Sequence, residues 1–203
     1  QRLVRYHKSI ENDAIKVDAK PEIIFETPVS AVIDGHDGMG QLISIYAMKL
    51  AIEKAKTSGM SFVTVRNSNH FGIAGYYTKM ACDEGLMAIA TTNSESITVH
   101  TNSRQAILGS NPIALAMPAK PYPFWFDAST AVVPKGRLEV YAKEEKELED
   151  VWAVDETGKP SKDAERVLEC IDGKLGAGGI LPIGGEKEST VLHRQRRRAG
   201  LSL

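Results

Sequence analysis

The segment FVTVRNSNHFGIAGYY at 62–77 constrains the fold more than any other part of the chain. Phe62, Val63 and Val65 form a β-branched and aromatic run that reads as a buried strand, and the polar Arg66-Asn67-Ser68-Asn69 stretch is expected to end it. Ile73, Tyr77, Met80 and Ala81 then restore helical spacing until Gly85. The segment is therefore strand, turn and helix, with His70 in the turn. Ligands of open sheets are commonly held at strand ends, and a histidine exchanges protons near neutral pH because its unperturbed pKa is about 6.5. On residue type alone, a hydrogen-bonded structural histidine is the commoner reading. Gly72 and Gly75 open the helix, where backbone amides favour an anion such as a pyrophosphate or a carboxylate. HFGIAG is not a GxGxxG fingerprint, and relief of packing accounts for these glycines as well.

Similar units flank this frame. EIIFETPVSAVIDG is expected to supply two short strands, at 23–26 and 31–34, interrupted at Pro28, with HDGMG at 36–40 as a loop. Leu42, Ile45, Met48, Ile52 and Ala55 recur at three- and four-residue spacing and predict an amphipathic helix ending at Ser58-Gly59, with Met48 and Leu50 in the core. A strand at 86–90 leads into Thr91, Thr92, Asn93 and Ser94, whose polar groups suit either ordinary turns or the rim of a ligand site. GSNP at 109–112 turns the chain into the apolar IALAMPA, and FWF at 124–126 leads into Asp127, with Phe124 and Trp125 expected as core or interface aromatics. Pro134 is placed to open a helix through Tyr141, followed by the charged, solvated KEEKELED at 143–150. A strand, a turn at 157–160 and a helix capped at Ser161 follow before the glycine-rich GKLGAGG.

Composition narrows the function classes. Lys+Arg 25 against Asp+Glu 26 gives no global electrostatic reason to expect nucleic acid or an acidic membrane as partner, so a small molecule is the default. Cys82 and Cys170 lie far apart, without CxxC or Cys/His ligand spacing, so neither a disulfide framework nor a metal site is expected and a reducing cytoplasm suits the chain. The sequence shows no apolar run approaching the ~20 residues of a membrane span and no signal-peptide core near Gln1. HExxH and GxSxG are also absent, which weakens metal-dependent hydrolysis and a serine nucleophile as readings.

NSNHFGIAGYY at 67–77, TTNS at 91–94, GSNPIALAMPA at 109–119 and FDAST at 126–130 occur in this order. Together they resemble the type-2 malate/L-lactate dehydrogenase family, which is distinct from the Rossmann-fold lactate and malate dehydrogenases. The resemblance covers roughly residues 22–185. It implies an α/β (α+β) fold with a large mixed, mainly antiparallel sheet flanked by helices, assembled as a homodimer. It implies an enzyme that moves a hydride between NAD or NADP and a small 2-hydroxy or 2-oxo acid. His70 is then the catalytic acid and base, Asn69 orients substrate and Ser110 meets the substrate's polar groups. Phe71, Gly72, Ser94, Asp127, Ala128 and Ser129 are the expected cofactor contacts, and no metal is expected. Asp127 is suited to accept hydrogen bonds from a ribose or a carboxamide, and equally to cap a turn into the next helix.

The resemblance also frames three segments: 1–20 as a remnant of an N-terminal helical segment, 21–185 as the cofactor-binding and catalytic domain, and 186–203 as a basic, disordered tail. The family's upstream Ser-His-Gly and downstream His-Lys-Gly motifs have no counterpart in the sequence, so the chain is expected to be truncated at both ends. Two readings follow: a dehydrogenase of the malate/lactate class, or an inactive remnant retained as a dimerising or interaction module. Neither the particular acid nor the choice between NAD and NADP is encoded in any motif of the sequence.

Overall fold

In the computed structural model, which describes residues 2–148 and 152–184, α1 (Arg2–Glu11) precedes an antiparallel pair, β1 (Glu22–Glu26) and β2 (Ser30–Gly38). The helix α2 (Gly40–Ser58) then crosses back to β3 (Phe62–Ser68), which lies parallel to β2. Strand β3 therefore runs through the polar Arg66-Asn67-Ser68 rather than ending before it. The reason lies in its partner: Arg66 faces Asp34, whose carboxylate accepts from its guanidinium, and Ser68 faces Gly38 across an irregular register. His36, Asp37 and Gly38, expected in a loop, extend β2 through this irregular stretch, with positive φ at His36 and Asp37.

Asp34 fastens this pairing. It is buried, its Oδ1 accepts from the His36 amide at 2.9 Å, and its Oδ2 accepts from Arg66 Nε and Asn67 Nδ2, both at 2.9 Å. The His36 amide, followed by the Arg66 guanidinium, holds the Asp34 carboxyl below the usual carboxylate range.

Helix α2 stops where expected, at Gly59, whose φ of +83° and amide bond to the Ala55 carbonyl form a left-handed cap. Its buried face is not the predicted one. Ile43 and Ala47 are buried, whereas Leu42 is 68% exposed, because the helix begins at Gly40 and turns the 43/47 stripe toward β2 and β3. Met48 and Leu50 are half-buried beside it. The helix after His70, α3 (Ala74–Asp83), buries Ala74, Tyr77, Thr78, Ala81 and Cys82 and ends before Gly85, at φ +80°. A second sheet contains β4 (Ala88–Thr91), β7 (Ile113–Met117) and β8 (Phe124–Ala128) in the order β4-β7-β8. Phe124 and Trp125 on β8 are about half exposed.

The described residues of 1–90 and 114–127 form one unit, and those of 91–113 and 128–203 form another. The second unit carries a four-stranded sheet of β5 (Thr98–Val99), β6 (Ala106–Leu108), β9 (Ala153–Val154) and β10 (Gly179–Ile180), ordered β6-β5-β10-β9, with α4 (Lys135–Lys143) and α5 (Ala164–Ile171) packed on each other. Its core gathers Ile97, Leu138, Leu148, Val167 and Ile180. Leu148 is thus an anchor inside the charged 143–150 run, which is otherwise exposed up to Glu147. Helix α5 is capped by Asp163, whose Oδ1 accepts from the Arg166 amide at 3.0 Å, two residues after the expected Ser161. Both cysteines are free and buried. Among the described residues, no helix is long and apolar enough to cross a membrane. The basic tail lies outside the described residues.

Candidate functional site

In the first unit, strand β3 delivers the chain into the turn Asn69-His70-Phe71-Gly72, and α3 leads away from it. The turn is held at each of its residues. Asn69 donates through Nδ2 to the carbonyl oxygens of Asp37 at 2.7 Å, Ala14 at 3.1 Å and Gly38 at 3.3 Å, so its amide nitrogen clasps the end of β2 and the segment after α1. Its Oδ1 is the atom left for a ligand. Phe71 stacks on Tyr77 with ring centroids 5.2 Å apart, and its carbonyl accepts from the Tyr77 hydroxyl. Burial pushes the Tyr77 hydroxyl above its ordinary pKa, which keeps that donor protonated. Gly72 has φ +92°, a left-handed conformation that the turn requires and a side chain would strain.

His70 itself is engaged through Nδ1, which lies 2.6 Å from the Tyr6 hydroxyl and 3.3 Å from the Gly72 amide. Tyr6 in turn accepts from Gln41 Nε2 at 2.7 Å. Tyr6 and Gln41 come from α1 and from the first turn of α2, and neither carries a motif that sequence reading recognises. A cleft of about 550 Å³ lined by Ile10, Lys16, Asp18, His36, Asp37 and Asn67 does not include His70.

Asp127 stands at the start of α3. Its Oδ2 accepts from the Gly75 amide at 2.6 Å, while Trp125 Nε1 donates to the Gly75 carbonyl at 3.0 Å. A β-carbon on Gly75 would come within 2.8 Å of both side chains, so glycine is needed for this approach. One of the free amides at this helix start, that of Gly75, is therefore taken by the chain's own carboxylate. Asp127 caps α3, which precedes it by some fifty residues, rather than the turn that follows it.

In the second unit the polar cluster is built around Ser94 and Ser110. Ser94 Oγ accepts from the Ser110 amide at 2.8 Å and from the Asn111 amide at 3.4 Å, and lies 3.0 Å from Ser110 Oγ. Because both acceptor positions of the Ser94 hydroxyl are occupied, its hydrogen goes to Ser110, whose own hydroxyl hydrogen is left for a third group. The Ser94 amide donates to Asn111 Oδ1 at 3.1 Å. A β-carbon on Gly109 would collide with Asn111 Oδ1 at 2.4 Å and with Ser94 at 2.5 Å, which explains the glycine of GSNP. The Ser110 carbonyl accepts from Ser129 Oγ at 3.2 Å and from Thr130 Oγ1 at 3.0 Å, and the Ala131 amide donates to Ser129 Oγ at 3.0 Å. Ala128 ends β8 immediately before Ser129.

The expected residues thus form two groups: Asn69, His70, Phe71, Gly72 and Asp127 in one unit, and Ser94, Ser110, Ala128 and Ser129 in the other. Among the described residues, no group of three or more His, Cys, Asp or Glu side chains is placed to hold a metal ion.

The sequence profile of malate/L-lactate dehydrogenases matches residues 1–192. The malate dehydrogenase of Pyrococcus abyssi is 45% identical over 194 residues, which cover 96% of this chain and 52% of that protein. The L-sulfolactate dehydrogenase of Methanocaldococcus jannaschii is 40% identical over 173 residues, covering 84% and 48%. The crystal structure of malate dehydrogenase from Entamoeba histolytica superposes with a TM-score of 0.85 at 41% identity, covering 91% of this chain and 51% of that one. The chain therefore spans about half the length of the relatives it matches. With the ordered motifs, the matching profile and the matching fold in agreement, the chain belongs to the malate/L-lactate dehydrogenase family.

Proposed function

We propose that this chain carries the acid–base part of an oxidoreductase that moves a hydride between NAD or NADP and a small 2-hydroxy or 2-oxo acid of the malate/lactate class. One observation carries the reading: the family's histidine motif folds into a clamped turn in which Tyr6 and Gly72 hold His70 at Nδ1. A bound nicotinamide supplies or receives the hydride. His70 gives a proton to the carbonyl oxygen as the substrate is reduced, or takes the hydroxyl proton as it is oxidised. Asn69 orients the acid through Oδ1, and Ser110 donates its hydroxyl hydrogen to a polar group of the substrate. Phe71, Gly72, Ser94, Ala128 and Ser129 contact the cofactor, and Asp127 does so through Oδ1, since Oδ2 holds Gly75. The enzyme acts as a cytoplasmic homodimer.

Titration with NADH and NADPH, followed by fluorescence, tests this together with oxaloacetate and malate turnover by the chain and its His70→Ala variant. Saturable binding, with turnover reduced about 10²–10⁴-fold by the substitution, is the expected result. A second reading, an inactive module that serves only in association, draws on the exposed apolar side chains Leu42 and Phe62, each 68% accessible, and Ile89 at 62%. A folded chain that binds neither nucleotide but dimerises would favour it.

A further inference from the structure

His70 is held by a hydrogen-bond chain whose direction can be read from its donors. Gln41 Nε2 carries only hydrogens and donates to the Tyr6 oxygen at 2.7 Å. At its other end, the chain meets the Gly72 amide, a fixed donor whose hydrogen points at His70 Nδ1 from 3.3 Å. A hydrogen on Nδ1 would oppose that amide hydrogen, so Nδ1 is the acceptor. The Tyr6 hydroxyl, 2.6 Å from Nδ1, then donates to it. Every link runs the same way, from Gln41 to Tyr6 to His70, and aligned chains of this kind polarise one another. The tyrosine ring also packs against the imidazole at a centroid distance of 5.8 Å and a tilt of 55°.

We propose that Tyr6 is the positioning residue of His70: it fixes the ring and confines neutral His70 to the tautomer with its hydrogen on Nε2. Gln41 supports it by occupying the acceptor side of the Tyr6 hydroxyl, which commits the phenolic hydrogen to Nδ1. This deepens the oxidoreductase reading and rests on it in one respect: the Nε2–H tautomer is the one that donates to the carbonyl oxygen of a 2-oxo acid, so the resting site is set for reduction.

The closing experiment reads the tautomer directly. Long-range ¹H–¹⁵N correlation spectra of the imidazoles are recorded on the labelled full chain without substrate or cofactor, with the His70 signals assigned by their loss in His70→Ala. The wild-type chain is expected to show a non-protonated Nδ1 and a protonated Nε2. In Tyr6→Phe, which keeps the ring and loses the hydroxyl, Nδ1 keeps only the longer Gly72 bond, and both signals should move part of the way toward the average of the two tautomers. Gln41→Leu should move them the same way, since Tyr6 can then turn its hydrogen aside, and it decides the matter if Tyr6→Phe does not fold. A hydrogen on Nδ1 in the wild type, or signals unchanged in a folded variant, would overturn the proposal. In turnover, Tyr6→Phe should lower kcat for 2-oxo acid reduction about tenfold, the worth of one good hydrogen bond, with KM within about twofold. The spectra need no catalysis, so an inactive chain with the expected tautomer would count against the oxidoreductase reading alone.

Discussion

A β-carbon on Gly40 would stand 2.1 Å from the carbonyl oxygen of Asn69 and 2.7 Å from that of His70. The first turn of α2 therefore lies directly against the backbone that presents the histidine, and neither contact atom is the end of a flexible side chain. Gly40→Ala must displace one of the two segments. The expected outcome is a loss of about 1–3 kcal/mol of stability, as for other overpacked sites, with a fall in turnover because His70 moves with its backbone. Urea denaturation and steady-state kinetics on the same preparation check both.

Much of this neighbourhood was legible in the sequence, because local periodicity and local stop signals report local geometry. The β-branched and aromatic run of Phe62, Val63 and Val65, the spacing from Ile73 to Ala81, and Gly59 and Gly85 after their helices all placed elements to within a few residues, although the strand expected to be buried leaves Phe62 68% exposed. The partners were not legible. Tyr6 reaches His70 across 64 residues, and Asp127 reaches Gly75 across 52. A periodic pattern says which face of an element is covered, not which distant side chain covers it, and a tyrosine in a polar helix has no signature of its own. Asn69 shows the same limit from the other side: its motif pointed to substrate, and its amide nitrogen proves to hold three backbone carbonyls.

Asp127 gives a way to separate capping from cofactor contact. Asp127→Ala leaves the Gly75 amide without its acceptor and should cost about 1–3 kcal/mol, whereas Asp127→Asn keeps an oxygen for that amide and should lose less than about 1.5 kcal/mol. Thermal or urea unfolding of the two variants measures the difference. If nucleotide affinity falls equally in both while only the alanine variant is destabilised, Oδ1 is the atom that meets the cofactor.

Ser94 and Ser110 should respond in opposite ways. Ser94→Ala deprives the Ser110 and Asn111 amides of a shared acceptor, and a stability loss of about 1–3 kcal/mol is expected. Ser110→Ala removes the hydroxyl at the outer end of the chain, which supports no other described residue besides Ser94, and stability should change by less than about 1 kcal/mol. Its expected effect is on substrate, with KM raised about tenfold for one lost hydrogen bond. Equal loss of stability in both variants would show that the Ser110 hydroxyl is structural.

Acid sensitivity should trace to Asp34. Its carboxyl is held below the ordinary range in the fold, first by the His36 amide and then by Arg66, so in the unfolded chain it binds its proton at a higher pH than in the native one. The stability it contributes is fully present above its unfolded value of about 3.9, and is lost as pH falls through that value toward the lower native one. In Asp34→Asn the Arg66 pair and one charge-assisted acceptor are gone at every pH. The variant should therefore be less stable than the wild type near neutrality, and the gap should close as the pH is lowered below about 4. Asp155 and Glu156 are also held low, the first chiefly by the Thr157 hydroxyl and the second by Arg166, so both proteins lose stability in acid. Only the difference between them reports Asp34. Urea midpoints for the pair across this pH range measure that difference, and a gap that stayed constant on acidification would show that the Asp34 charge does not hold the end of β2 to β3.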